Sequence, residues 1–253
     1  MKNQYTDLAG QVVFVTGAAS GIGAAQAVAF LEQKAFVFGF DLQMGKMVDL
    51  LEAYPEQFFA YTGDVCQKET LEAAVRACHT KFGPVSILLN TAGILDAYKP
   101  LLETDERLWD QIYEVNVKSM FRLTKLLLPE MLAKNKGTII NMASIAGFVA
   151  GGGGIAYTSA KHAIVGFTKQ LALDYAPQGI RVKAIAPGAI QTPMNAADFV
   201  GTGEMAEWVA NETPVKRWAQ PEEVAELTLF LATPQASYLQ GAIIPIDGGW
   251  LLK

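Results

Sequence analysis

Val12-Val13-Phe14-Val15 runs directly into Thr16-Gly17-Ala18-Ala19-Ser20-Gly21-Ile22-Gly23. Four successive apolar residues, β-branched or aromatic, suit a short strand buried on both faces. The glycine-rich turn then opens a helical pattern over 21–33. In that setting Gly17 permits a tight turn, Gly21 lets a phosphate come close, and Gly23 lets the helix pack on the strand. Backbone N–H groups around Ser20, Gly21 and Ile22 then point, with the helix N-terminus, at an anionic pyrophosphate. A glycine triplet in isolation is as well explained as a structural turn. The strand before it and the helix after it favour the dinucleotide reading.

The same alternation continues along the chain. Short apolar runs stand at 35–40, 58–61, 85–89, 138–142, 180–185 and 242–246, with helical patterns at 43–54, 67–82, 105–133, 155–176 and 221–232. Continuous apolar runs mark strands covered on both faces, and helices of this length are the crossovers that parallel strands require. The class is α/β, a seven-stranded parallel sheet flanked by helices on both faces. Within 105–133, Leu123, Leu126, Leu127, Met131 and Leu132 recur at three- and four-residue steps, and Pro129 is expected to bend that helix near its end. The weakly patterned stretch 192–215 follows a strand end and reads as a mobile lid.

At 253 residues the chain suits one domain over 1–253, and no linker divides it. Apolar residues at 51% and charged residues at 18% exclude a disordered chain. No uncharged apolar run reaches the roughly 20 residues a bilayer requires, so no membrane partner is expected. Met1-Lys2-Asn3-Gln4 leads into a polar stretch, so a secretory signal is not expected and the cytoplasm is the expected compartment. A net charge of −5 without clustered Lys or Arg argues against nucleic acid. Cys66, Cys78, His79 and His162 are too few and too scattered for a disulfide framework or a metal site; Cys78 and His79, as helix neighbours, point about 100° apart.

Asp41 ends the second strand, 18 residues beyond Gly23, the distance at which a carboxylate reaches adenosine ribose hydroxyls. It would repel a 2′-phosphate, and neither Leu42 nor Ser20 offers a compensating cation. NAD(H) is therefore expected over NADP(H). Capping of the next helix is the alternative role for Asp41.

Further motifs are Asp64-Val65, Asn90-Thr91-Ala92-Gly93, Asn116 in Val-Asn-Val, Ser144 in Asn-Met-Ala-Ser, and Tyr157-Thr158-Ser159-Ala160-Lys161. Together with the glycine loop they resemble the short-chain dehydrogenase/reductase family through nearly the whole chain, its bacterial 3-oxoacyl carrier-protein reductases and the nearby polyol or gluconate dehydrogenases above all. The resemblance implies a Rossmann-type doubly wound sheet in the order 3-2-1-4-5-6-7 and a nicotinamide cofactor. It implies adenine contacts at Asp64 and Val65, and cofactor contacts at Asn90, Ala92 and Gly93, with Thr91 replacing a second Asn as a minor structural variation. It implies carboxamide contacts in Pro187-Gly188-Ala189-Ile190-Gln191-Thr192, from the Ile190 backbone and the Thr192 hydroxyl. The catalytic set it implies is Asn116, Ser144, Tyr157 and Lys161.

Those residue types suit carbonyl reduction, which places negative charge on oxygen and needs a proton donor and a hydrogen-bond donor beside it. Tyr157 and Lys161, four apart on a helix, share a face. The expectation is that Tyr157 gives the proton, Ser144 holds the oxygen, and Lys161 favours the phenolate while binding ribose. Asn116 resembles the family residue that positions a water in a proton relay, a role compatible with its being a buried, helix-bending amide. His162 is expected to pack away from the Lys161 face.

For the substrate, Ile94, Ala146, Ala150, Gly188 and Met194 join Ser144 and Tyr157 as candidate contacts, an apolar set without an Arg or Lys clamp. A neutral ketone or secondary alcohol is expected. Gly151-Gly152-Gly153-Gly154 either widens this pocket or serves as a flexible turn. An acyl carrier protein is a possible but unfavoured partner: Asp41 speaks against NADPH, and Gln178 stands where those reductases commonly carry a basic residue, although Lys134 and Lys136 could face an acidic partner. A non-catalytic dinucleotide sensor or scaffold is the alternative of another class. Family members are usually tetramers, and Ile246-Asp247-Gly248-Gly249-Trp250 resembles their ending, so a homotetramer is expected.

Overall fold

The computed structural model describes residues 4–252. Seven parallel strands, β1 (Val12–Thr16), β2 (Phe36–Asp41), β3 (Phe58–Thr62), β4 (Ile87–Asn90), β5 (Gly137–Met142), β6 (Ile180–Pro187) and β7 (Ile243–Ile246), form one sheet in the order β3-β2-β1-β4-β5-β6-β7. Strand β1 sits at the switch point, paired with β2 through Val12 and Phe36 and with β4 through Val13 and Ile87. The doubly wound sheet and its order agree with the reading of the sequence, and strand limits differ from it by one or two residues. Pro245, which can give the ladder no N–H, lies in the edge strand β7.

Alternation along each strand divides the core in two. Val13 and Val15 of β1 pack with α1 (Gly21–Glu32), α2 (Met47–Ala53) and α8 (Pro221–Ala232). Val12 and Phe14 pack on the opposite face with α3 (Lys68–Phe82), α5 (Ser119–Ala133) and the end of α6 (Ile155–Tyr175). On that second face Phe14, Phe38 and Phe59 step across three strands, with ring centroids 4.9 and 5.4 Å apart. Aromatic pairs at such spacing add about 0.5–1.5 kcal/mol each beyond area burial. The remaining helices are α4 (Glu106–Tyr113) and α7 (Glu204–Glu212). Among the described residues no helix is long and apolar enough to cross a membrane.

Two helices differ from the sequence reading. The single helix expected over 105–133 is interrupted: α4 passes into a π-helical stretch, Glu114–Lys118, before α5 begins. Asn116 lies in that stretch and its side chain bonds a distant backbone, the kind of local demand with which π-bulges are associated. Pro129 stands inside α5, which continues past it to Ala133. The helix expected from residue 43 starts at Met47, because Lys46 N–H donates to the Ala19 carbonyl and pins the preceding turn on the glycine loop.

Candidate active site

The carboxyl ends of β1, β2, β4, β5 and β6 open into a cleft of about 1000 Å³, where open α/β sheets bind ligands. At its first strand end, Gly17 has φ +74° and its N–H donates to the Phe40 carbonyl at 2.8 Å. A Cβ on Gly23 would lie 2.1 Å from the Gly17 carbonyl oxygen, so only glycine lets α1 start this close to β1. Ser20 caps α1 without a side-chain hydrogen bond, and Ser20, Gly21, Ile22 and Gly23 all line the cleft. Asp41 Oδ2 accepts from Ala19 N–H at 3.0 Å and Oδ1 from Gln43 N–H at 3.2 Å, which fixes the carboxylate at the cleft wall beside Leu42. Asp64, Val65 and Cys66 complete this end. Arg122 holds their loop by donating to the Cys66 carbonyl at 2.7 Å while pairing with Glu114 at 2.8 Å. Burial, reinforced by Asp64, pushes the Cys66 thiol up to about 11.

The middle of the cleft rests on a buried polar layer. The Thr16 hydroxyl accepts from the N–H groups of Thr91 and Ala92 at 3.0 and 3.1 Å. Thr91 Oγ1 donates to Gln26 Oε1 at 2.6 Å, and Gln26 in turn donates to Thr228 at 2.9 Å, so this residue ties β4 to α1 and α8. Asn90 lies beneath the cleft rather than on its wall, donating to Asn141 Oδ1 at 2.9 Å and Thr124 at 3.3 Å. Asn116 is also below the wall: its amide accepts from Ile94 N–H at 2.8 Å and donates to the Ile94 carbonyl at 2.9 Å. A Cβ on Gly93 would meet Asn116 Oδ1 at 3.1 Å and Lys161 Nζ at 3.9 Å, which places both polar groups around this glycine.

Ser144, Tyr157 and Lys161 meet at the cleft's centre. Ser144 follows β5; its Oγ accepts from Ala146 N–H at 3.1 Å and hydrogen-bonds the Tyr157 phenol. Tyr157 and Lys161 share the inner face of α6, with Lys161 Nζ 5.2 Å from the Tyr157 ring centre and donating to the Met142 carbonyl at 2.9 Å. Burial lowers the Lys161 ammonium to about 8, a cost of about 3 kcal/mol to keep it charged. The phenol moves the other way, to about 12: burial is the main cause, Tyr98 and Asp96 add to it, and the Ser144 hydrogen bond opposes it. Burial, with Tyr98 and Asp96, thus favours the neutral form of the phenol.

Beyond these residues the cleft turns apolar. Ile94, Gly188 and Met194 line it as expected, with Tyr98, Met205, Trp208, Trp218 and Trp250. Ala146 and Ala150 do not line it. Ala146 is fully buried beneath Gly152, whose Cβ would lie 3.1 Å from the alanine methyl, and Gly151 and Gly152 form the wall instead. From Gly152 onward the glycine run is close-packed, with open space at Gly151: a Cβ on Gly153 would strike the Tyr157 ring at 2.4 Å, and one on Gly154 would strike the Lys99 carbonyl at 2.5 Å. Pro187, Gly188, Ile190 and Thr192 form the far wall. Gly188 N–H donates to the Ile246 carbonyl at 3.0 Å, and Thr192 Oγ1 donates to Asn195 at 2.9 Å. His162 is exposed rather than packed, its ring against the Thr158 carbonyl. Lys161 is the one lysine or arginine among the lining residues.

The sequence reading missed Asp96, Tyr98 and the three tryptophans. Asp96 is a carboxylate 1% exposed that accepts three backbone N–H groups under the site. Its only local signal is its place three residues after Gly93.

Residues 17–251 match the family model described as enoyl-(acyl carrier protein) reductase. The chain is 35% identical over 249 residues to the 3-oxoacyl-(acyl-carrier-protein) reductase of Thermotoga maritima, covering 97% of this chain and 99% of the relative. It is 36% identical over 247 residues to the NAD-dependent glycerol dehydrogenase of Listeria innocua, covering 96% and 94%. Among solved structures, actinorhodin polyketide ketoreductase with NADPH superposes with a TM-score of 0.90 at 32% identity, covering 98% of this chain and 99% of that one. Fold, motif order and full-length similarity agree: the chain belongs to the short-chain dehydrogenase/reductase family of nicotinamide-dependent oxidoreductases.

Proposed function

We propose that this protein interconverts a secondary alcohol and a ketone with NAD(H), and that its substrate is uncharged around the reacting carbon. The observation that carries the reading is the convergence of Ser144, Tyr157 and Lys161 midway along one cleft, between the glycine loop with Asp41 and an aromatic end. The residues present fit a dinucleotide. Close approach at Gly17 and Gly23 and the cleft-facing start of α1 suit a pyrophosphate. Asp41 suits ribose hydroxyls, Asp64 and Val65 adenine, and Ala92, Gly93 and Lys161 the second ribose; Pro187, Gly188, Ile190 and Thr192 suit the carboxamide. Asn90 acts from below, by holding Asn141 and the end of β4.

A bound nicotinamide supplies the hydride for reduction and takes it up in oxidation. The protein's part is protonic and positional. Ser144 holds the substrate oxygen, and Tyr157, neutral at physiological pH, delivers the proton to it. Lys161 keeps a positive charge beside the phenol and offers its N–H groups to ribose. Asn116 holds the Ile94 backbone, which sets the near wall and the route by which a proton reaches Lys161. Segment 192–215, containing α7, acts as a lid over the aromatic end.

Reduction of a carrier-protein thioester is the second reading, favoured by the name of the Thermotoga relative. Asp41 and Gln178 count against it, as they do in the sequence. A non-catalytic sensor would have no need of Ser144, Tyr157 and Lys161 in one place. We propose a homotetramer, which sedimentation as a monomer would refute. The deciding experiment is consumption of NADH and NADPH against neutral ketones, ketoses and a 3-oxoacyl thioester, with Tyr157→Phe as control. NADH turnover on neutral ketones, lower in the variant by about 100-fold or more, is expected. NADPH-driven thioester reduction would overturn both the cofactor and the substrate assignments.

A further inference from the structure

Asp96 belongs to none of the motifs that build the site, yet it lies against the turn of α6 that carries Tyr157. Its Oδ1 accepts from Gly154 N–H at 2.8 Å and from Tyr98 N–H at 3.2 Å, and its Oδ2 accepts from Tyr157 N–H at 2.8 Å. Gly154 is the N-cap of α6 and offers no side chain to its own helix. The first turn of a helix leaves its amides without partners; here Asp96 takes two of them, and the Lys99 carbonyl takes the Ile155 N–H at 3.1 Å. A Cβ on Gly154 would lie 2.6 Å from Asp96 Oδ2, so glycine is what lets the carboxylate reach the helix. Beyond Asp96, Ala97 and Tyr98 adopt φ +54° and +58°, two consecutive left-handed residues with side chains. Such a conformation persists only where its surroundings impose it, and the Asp96 bonds to α6 are the restraint next to it.

We propose that Asp96 is a positioning residue for proton transfer: it fixes the backbone of Tyr157 at the head of α6 and sets the charge environment of the phenol. This rests on Tyr157 being the proton donor. The groups that face the phenol are Ser144 from the end of β5, Lys161 from α6, and Asp96 and Tyr98 from the segment after β4. Within that set Asp96 is a negative charge, which disfavours the phenolate alongside burial. Removing the charge lets Tyr157 ionise at lower pH.

Asp96→Asn keeps the shape, removes the charge and turns one acceptor into a donor facing a backbone N–H. Three readouts follow. The kcat for alcohol oxidation at neutral pH is expected to fall about tenfold, the scale of a small misplacement of a reacting group. The rise of oxidation with pH begins earlier by about half a pH unit or more. In the ligand-free protein, phenolate absorbance measured as a difference against Tyr157→Phe shifts the same way, while NADH affinity by fluorescence is unchanged. A residue that only stabilised the fold would lower the melting temperature and leave both pH dependences where they were, and that result overturns the proposal. Should Asp96→Asn fail to fold, Asp96→Ser removes the charge with a shorter side chain; a loss of kcat together with the earlier rise with pH, at unchanged NADH affinity, supports the proposal, and a parent-like kcat or an unmoved pH dependence overturns it. The two readings separate cleanly. Tyr157→Phe with parent activity removes both, whereas inactive Tyr157→Phe beside a parent-like Asp96→Asn removes the role of Asp96 alone.

Discussion

Asp41 both shapes the glycine loop, through Ala19 N–H, and presents a negative charge to whatever lies along the end of β2. A 2′-phosphate brought within about 5 Å of it near the protein surface would be repelled by about 1–3 kcal/mol, and no lysine or arginine on the wall of that end offsets this. Asp41→Ala is therefore expected to raise kcat/KM for NADPH relative to NADH by about tenfold or more, measured with one ketone and both cofactors. An unchanged ratio would place cofactor choice elsewhere. Asp41, the glycines and the Tyr157–Lys161 pair were legible in the sequence because their chemistry is set by spacing along one turn or one strand end. Asp96 was not, because its meaning comes from amides 58 and 61 residues away. Ala146 misled for the same reason: its closeness to Ser144 in the chain says nothing of Gly152 folding over it.

Strands were read within a residue or two since each carries a run of mostly apolar residues, a consequence of helices on both faces. Helix interiors were less legible. The break at Glu114–Lys118 serves a hydrogen bond to Ile94 that no periodicity in α5 announces. The end of α8 shows another such device. Arg181 donates to the Ala232 carbonyl at 2.9 Å and also to the Thr233 carbonyl, and Lys183, fully buried, donates to the Leu231 carbonyl at 3.0 Å. Two cations thus close the negative end of one helix. Burial first, and Arg181 second, hold the Lys183 ammonium down to about 8. Below pH 8 the folded protein bears the cost of a buried charge that the unfolded chain does not; between 8 and the ordinary lysine value folding releases the proton and that cost fades. Lys183→Met removes the titration. Its melting temperature, compared with the parent's, should lose ground as pH rises from 7 to 10, by the equivalent of about 1–3 kcal/mol. A difference independent of pH would mean that Lys183 stays charged in the fold.

Taken together, the two ends of the cleft are made in different ways. The end at the glycine loop, proposed above as the cofactor end, is built from strand termini held by the sheet ladder. The aromatic end is assembled from segments far apart in the chain, 94–98, 193–209, Trp218 and Trp250. Side-chain and loop contacts, not a sheet ladder, join them. The Trp218 indole donates to the Ala206 carbonyl at 2.9 Å and its ring lies 4.9 Å from that of Phe199, while Val215 N–H reaches the Gly248 carbonyl at 3.3 Å. Local opening favours regions outside such a ladder, so movement is expected at this end. Trp218→Phe keeps a ring against Phe199 and deletes the bond to α7. With a hydrogen bond worth about 0.5–1.5 kcal/mol net, substrate KM should rise about three- to tenfold, at unchanged NADH affinity by fluorescence titration. If NADH affinity fell by the same factor, α7 would be part of the cofactor wall, and the division between a cofactor end held by the ladder and a substrate end outside it would fail.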